Sequence, residues 1–357
     1  MDNIEILLKE LTEASGVSGY EEPVRGVIRR YLSEIGEISH DKLGSLVCAR
    51  AGSAAEPKIM IAAHMDECGF MVQKIIKEGF IKFAPLGGWW DHVLLAQRVL
   101  IHTRNGDITG IIGAKPPHIL TEEERKKLVE KKDMYIDIGA TSREEVEKAG
   151  VRVGDPIVPV SEFTVLAGGR AYLAKAADDR IGCATLIASL QGLAKESHPN
   201  TVYGVATVQE EVGLRGARTS VDVVKPDAAF VIESGIATDL PGITEPAARL
   251  TGGPVIGFSE PGMITNLKLR DLVMDVAASN NIPVQIAADT DARYGTDADV
   301  IHLYKTGVPT IMLAPPVRHI HSHTAVFHRD DFDLAVTLLT LVIKALDSKV
   351  VAGLTDY

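Results

Sequence analysis

Two histidines and three carboxylates, His64, Asp178, Glu211, Glu233 and His321, make up a donor set that suits a pair of divalent ions. Mixed imidazole and carboxylate ligands of this kind fit Zn²⁺ first, with Co²⁺ or Mn²⁺ accommodated. With Asp178 shared, each ion gains one histidine and one further carboxylate, and an open position remains for a water whose pKa the ions would depress. Glu210, next to Glu211, is then free to take a proton from that water. Asp66, two residues after His64, is placed to accept a hydrogen bond from the imidazole and fix its tautomer.

Taken singly, each of these residues has a plainer use. Asp178-Asp179-Arg180 suits a helix N-terminus, Glu210-Glu211 a solvated face, and Glu233 a turn before Gly235. Arg318 to His323 holds three histidines, His319, His321 and His323, and spacing alone does not choose between them. What unites the set is position. His64, Glu211, Glu233 and His321 each fall beyond an apolar strand-like run, and Asp178 opens a helix. In open α/β sheets, ligands bind in the crevice beyond the carboxyl ends of the strands.

The elements that must do this positioning follow from periodicity. Residues 3–36 read as two helices around a Ser15 to Gly19 turn, covering the first strand. Lys58 to Ala63 is a short continuous apolar run, the pattern of a strand buried on both faces, and His64 follows it directly. Residues 68–167 have a different texture of alternating segments with glycines in the turns, which predicts a small β-barrel inserted into an α/β domain of residues 1–67 and 168–357. Within it, Asn105-Gly106 predicts a tight hairpin turn, and Thr121 to Lys132 a charged helix outside the barrel core. Beyond residue 167, strands are expected at Val202 to Val208, Ala228 to Ile232 and Thr310 to Leu313. Helices are expected at Asp179 to Lys195, Ile264 to Ser279 and Phe332 to Leu346.

The 357 residues exceed what one core usually serves, and 46% hydrophobic with 24% charged residues is ordinary for a globular chain. A formal charge of -11 disfavours a nucleic-acid partner. Three cysteines without close pairing, and an N-terminus with Asp2, Glu5, Lys9 and Glu10 among its apolar residues, predict a cytoplasmic protein with no membrane partner.

Several segments together resemble the tetrahedral aminopeptidase and glutamyl aminopeptidase family of dinuclear metallopeptidases, some members of which carry an endoglucanase label. They are Ser15 to Glu21, Ala63-His64-Met65-Asp66-Glu67-Cys68-Gly69-Phe70, Ile112 to His118, Asp137 to Ala140, Asp178 to Cys183, Gln209 to Ala217, Gly295 to Ala298 and His321-Ser322. The resemblance implies a mixed-sheet metallopeptidase domain with an inserted barrel used for dimerisation, dimers that join into a dodecamer, and removal of N-terminal residues from short peptides. It assigns His64, Asp178 and Glu233 to one ion, Asp178, Glu211 and His321 to the other, and the general base to Glu210. This chain departs from the family pattern at Glu233, where many relatives carry Asp, at Tyr294, where Gly is frequent, and at His319, where an aromatic residue is common. Two rival readings belong to other classes: a metal-free glycan hydrolase built on two carboxylates, and a catalytically silent peptide-binding scaffold.

Overall fold

The computed structural model describes residues 1–288 and 295–356, so Tyr294 lies outside the described residues. Lys58–His64 runs through the middle of a mixed sheet. Its spatial order is Glu37–His40, Leu46–Ala51, Thr201–Thr207, Lys58–His64, Ala228–Ile232, Thr310–Ala314, Val255–Glu260 and Met263–Ile264, with Gln285–Ala288 also pairing Val255–Glu260. The four strands from Thr201–Thr207 to Thr310–Ala314 are parallel, and their neighbours on either side are antiparallel to them.

The unbroken apolar run from Ile59 to Ala63 serves two layers. Ile59, Ile61 and Ala63 point into the main core, with helices Asn3–Glu13, Glu22–Leu32, Ala177–Leu193, Leu267–Ser279 and Arg329–Ala345. Met60 and Ala62 face the opposite layer, where helix Arg215–Val224 contributes Ala217, Val221 and Val224. The two N-terminal helices are therefore part of the main core and not a cover laid over a strand. Buried Leu7, Leu8 and Leu11 belong to the same cluster as Ile181 and Leu186.

Six strands between Gly69 and Pro159 close into a barrel, as the change of texture predicts. Phe70 stacks on Trp89 at 4.9 Å and meets Phe83 edge-on at 4.9 Å in its core. The predicted hairpin forms with its corner one residue early. Thr103 pairs with Gly106, so Arg104 and Asn105 make the turn and Gly106, at φ +117°, starts the return strand.

One expectation needs correction, and one sheet was not expected. Thr121 to Lys132 is not one helix: Thr121 and Glu124 form a capping box on a single turn, Glu122–Arg125, and a 3₁₀ turn follows at Lys131–Asp133. All of the short helix is charged, with no apolar face to bury, so packing cannot extend it. The periodicity also gave no sign of a second, five-stranded sheet of Thr164–Val165, Ala171–Ala174, Ala325–His328, Pro316–Arg318 and Gly235–Ile236. Strands of two to four residues are too short to show alternation.

Candidate metal centre

Parallel strands end on one edge of the sheet, and the candidate ligands collect there. His64 is the last residue of its strand and pairs with Thr207, Glu210 and Glu211 follow Thr207 in a short loop, and Glu233 directly follows Ile232. Asp178 stands in the first turn of Ala177–Leu193 with φ -82° and ψ 109°, off the helical path, and a cis peptide joins it to Asp179. His321 arrives differently from expectation. It does not cap Thr310–Ala314 but comes after the further short strand Pro316–Arg318, in a loop where it takes φ +54°.

Asp178 lies between the two imidazoles. Its Oδ1 is 3.0 Å from His64 Nε2 and its Oδ2 3.0 Å from His321 Nε2. Glu233 Oε1 is 3.6 Å from His64 Nε2, and Glu211 Oε1 is 3.5 Å from His321 Nε2. Ligands about 2.0–2.1 Å from a tetrahedral ion stand roughly 3.3 Å from one another, so these spacings suit donors gathered around divalent metal. Neighbouring groups close the cluster further. Asp179 lies with His64 and Glu233, and Cys68 with Glu211 and His321, each trio having donor atoms within 4.8 Å of one another. Neither Asp179 nor Cys68 stood out as a donor in the sequence; adjacency to Asp178 and to the His64 motif was the available signal.

The electrostatics call for cations. Burial first, then Asp178, pushes Glu211 up to about 7, and burial pushes Glu233 up to about 8 against the pull of His64. Burial works to lower His321, but its bond to Asp178 outweighs this and holds it up at about 9. Glu211 Oε1 and Asp179 Oδ2 are buried with no hydrogen-bond partner among the described residues. Crowded buried carboxylates with unpartnered oxygens are relieved by divalent charge, so the residues present fit the ions.

Supporting contacts fix the set. Asp66 is fully buried and faces His64 Nδ1 twice, with its main-chain carbonyl at 3.1 Å and its carboxylate at 3.4 Å. The Asp66 carboxylate also accepts from Ser18 Oγ at 2.6 Å and from the backbone amides of Glu210 at 3.0 Å and Glu211 at 3.2 Å. Burial opposes its charge, but His64, Ser18 and the Glu210 amide hold its carboxyl below the usual range. On the other side, Gly88 of the barrel accepts from His321 Nδ1 at 2.7 Å, which leaves Nε2 facing Asp178. His323 is apart from the cluster: it is buried with its ring 5.3 Å from that of Trp89, neither nitrogen has a partner among the described residues, and burial drives it down to about 4. His319 lines, together with His321, His323, Trp90 and Val93, a cavity beside the cluster.

The cluster sits in a cavity of about 950 Å³. Glu210 opens onto it, its carboxylate without a protein hydrogen-bond donor among the described residues. Burial, and after it the charges of Glu233, Asp297 and Glu211, push Glu210 well above the usual carboxylate range against the pull of His64. Ile236, Val255, Ile286 and Met312 give the cavity an apolar wall.

Comparison with known proteins gives a consistent picture. A family model described as M42 glutamyl aminopeptidase matches residues 44–338, and one described as AMPT matches residues 2–28. The putative aminopeptidase FrvX of Escherichia coli K12 is 39% identical over 360 residues, spanning 99% of each chain. The solved TET aminopeptidase of the marine sediment archaeon Thaumarchaeota archaeon SCGC AB-539-E09 is 46% identical with a TM-score of 0.97, and 99% of each chain is covered. The Pyrococcus horikoshii TET1 peptidase, which can assemble into a tetrahedron or a large octahedral shell, is 32% identical with a TM-score of 0.85, covering 96% of this chain and all of that one.

Proposed function

The chain belongs to the M42 glutamyl aminopeptidase family, a family of metal-dependent peptidases, and from that premise we propose that it removes the first residue of short peptides with a free N-terminus at two divalent ions. One observation carries the count of two: the Asp178 carboxylate presents one oxygen to each of two imidazoles, both at 3.0 Å. In this reading His64, Asp178 and Glu233 hold one ion and Asp178, Glu211 and His321 the other, with Zn²⁺ the best match and Co²⁺ or Mn²⁺ accommodated. When bound, the ions supply Lewis acidity toward the scissile carbonyl and acidify the attacking water.

Glu210 takes the proton from that water and returns it to the leaving nitrogen. Its open carboxylate and raised proton affinity suit both halves of the task. Asp66 acts through others, holding the Glu210-Glu211 loop by its amides. The apolar wall of Ile236, Val255 and Met312 receives substrate side chains. A glycan hydrolase would place two free carboxylates across an open cleft. Here Asp178, Glu211 and Glu233 each face an imidazole instead, and an intact Glu210 leaves a silent scaffold without support.

The same reading divides the chain into a catalytic unit of residues 1–67 and 168–357 and a dimerisation barrel of residues 68–167. Exposed Ile111, Ile119, Leu128 and Val153, at 44% to 66% of their full exposure, offer that segment an apolar contact surface. Homo-oligomers built from such dimers, a dodecamer among them, are the assembly this reading expects, in line with the tetrahedron or large octahedral shell that the Pyrococcus horikoshii relative can form. Among the described residues no helix is long and apolar enough to cross a membrane. Three free, buried thiols support the cytoplasm as the compartment.

The test is hydrolysis of aminoacyl and acetyl-aminoacyl chromogenic substrates by metal-stripped protein, with and without Zn²⁺, Co²⁺ or Mn²⁺. Cleavage is expected only with metal and only of free amines. Glu210→Gln should lose about 10²–10⁴-fold in kcat/KM with unchanged metal content. Cleavage that survives chelation, or a fully active Glu210→Gln, overturns the reading.

A further inference from the structure

We infer that Cys68 is a further donor at the ion position of Asp178, Glu211 and His321, so that this chain selects a thiophilic divalent ion there. The inference rests on the dinuclear reading above and adds a ligand to it.

Cys68 follows closely on His64, yet its thiol serves the opposite half of the centre. Its sulfur, a Glu211 carboxylate oxygen and a His321 ring nitrogen lie within 4.8 Å of one another. Thiolate and imidazole bonds of about 2.3 Å and 2.0–2.1 Å to a tetrahedral ion set sulfur and nitrogen roughly 3.6 Å apart, within reach of side-chain torsions. A second observation points to a ligand at this spot. The Glu211 side chain is only 5% exposed, and its Oε1, 3.5 Å from His321 Nε2, has no hydrogen-bond partner among the described residues.

Backbone closes the site where a side chain otherwise would. A Cβ built on Gly87 would stand 2.5 Å from Cys68 Sγ and 2.8 Å from Glu211 Oε2, and Gly87 has φ +84°. Glycine there lets the barrel edge press against both donors without separating them. Burial, and after it the Glu211 charge, hold the free thiol well above its ordinary range, so the ion must displace its proton, but the hydrogen bond given up is weak. The thiol donates a weak 3.6 Å bond to the Gly88 carbonyl, which already accepts the 2.7 Å bond from His321 Nδ1. Cys48 and Cys183 are occupied elsewhere, donating to Leu32 O at 3.9 Å and His64 O at 3.2 Å.

On binding, the S–H bond breaks, the proton leaves to solvent, and the electron pair left on sulfur is donated to the ion; nothing is oxidised or reduced. The two positions then differ in kind. His64, Asp178 and Glu233 offer only nitrogen and oxygen, whereas sulfur tips the other toward Zn²⁺ or Cd²⁺ and away from Mn²⁺.

The test is Co²⁺ titration of the metal-free, full-length protein followed by absorption spectroscopy. Two equivalents should develop visible d–d bands, and one of them a near-ultraviolet sulfur-to-cobalt charge-transfer band. Cys68→Ser should keep the visible bands, lose the charge-transfer band and bind one of the two ions about tenfold or more weakly, while Cys183→Ala keeps the band. Visible bands with no charge-transfer band in the parent protein, or an undiminished band in Cys68→Ser, overturn the inference and leave the dinuclear centre standing. Failure to bind any Co²⁺ overturns the dinuclear reading itself. Should Cys68→Ser not fold, zinc X-ray absorption on the parent protein decides: one sulfur at about 2.3 Å supports the inference, and none refutes it.

Discussion

Replacing Asp66 by Asn removes one charge from the fully buried residue that ties the Ser18 loop to the Glu210-Glu211 loop, with almost no change of shape. The carboxylate accepts three hydrogen bonds, from Ser18 Oγ and from the amides of Glu210 and Glu211. With the amide oxygen kept toward Glu210, the new NH₂ faces Ser18 and the Glu211 N–H. The Ser18 hydroxyl can rotate to accept, but the Glu211 amide loses its acceptor, which costs about 1–3 kcal/mol. The bonds that remain fall from charge-assisted to neutral strength, so a total near 3 kcal/mol of folding stability is expected. Because the loosened amide carries a proposed ligand, affinity for metal should drop about 10–100-fold, or about 1.4–2.7 kcal/mol. Competition against a chromogenic chelator measures the affinity, and kcat/KM at saturating Zn²⁺ separates holding the metal from doing the chemistry. Ser18→Ala removes one bond of the three and should cost less than about tenfold. Unchanged metal affinity in folded Asp66→Asn would refute the reasoning, and a loss at saturating metal as large as that of Glu210→Gln would move Asp66 into the chemistry.

Metal-free protein should lose stability steadily from about pH 5 to about pH 9. Glu211 and Glu233, raised by burial from 4.5 to about 7 and about 8, keep protons in the folded chain that the unfolded chain releases, so stability falls as pH climbs through that interval. His321, raised by Asp178 from 6.5 to about 9 despite burial, gives stability that is complete below 6.5 and gone above 9, a change of the same sign. Melting scans with chelator check this, and a midpoint that rises with pH contradicts it; with Zn²⁺ the decline should flatten, because binding expels those protons. Gly87→Ala should bind one ion instead of two, since the added methyl would stand 2.8 Å from Glu211 Oε2; elemental analysis of the purified variant reads the count. Lys175→Met should cost about 3–5 kcal/mol in denaturant unfolding, as Lys175 Nζ meets both oxygens of buried Glu67, at 2.7 and 2.6 Å, leaving Arg180 at 3.5 Å as its one cation partner among the described residues.

Much of the frame was legible in the residues themselves. A short apolar run with no polar break has the pattern of a strand covered on both faces, and Lys58–His64 is one, with alternate residues in two separate cores. The glycine-punctuated alternation after His64 marked the barrel, and its closed sheet follows. Periodicity reports burial, and burial is local enough to be written in neighbouring residues.

Ligand choice is not local. Three histidines between 319 and 323 are equivalent by spacing; only the fold turns His321 toward Asp178, buries His323 with its ring tilted against Trp89 and leaves His319 off the lining of the carboxylate cavity. The same holds for the Asp66 carboxylate, directed at amides 144 and 145 residues away, and for Cys68, unremarkable until Glu211 is packed beside it. Separations of a few ångströms between residues so distant in the chain are set by strand order, register and the left-handed turn at His321, and none of these is encoded in a short stretch of sequence.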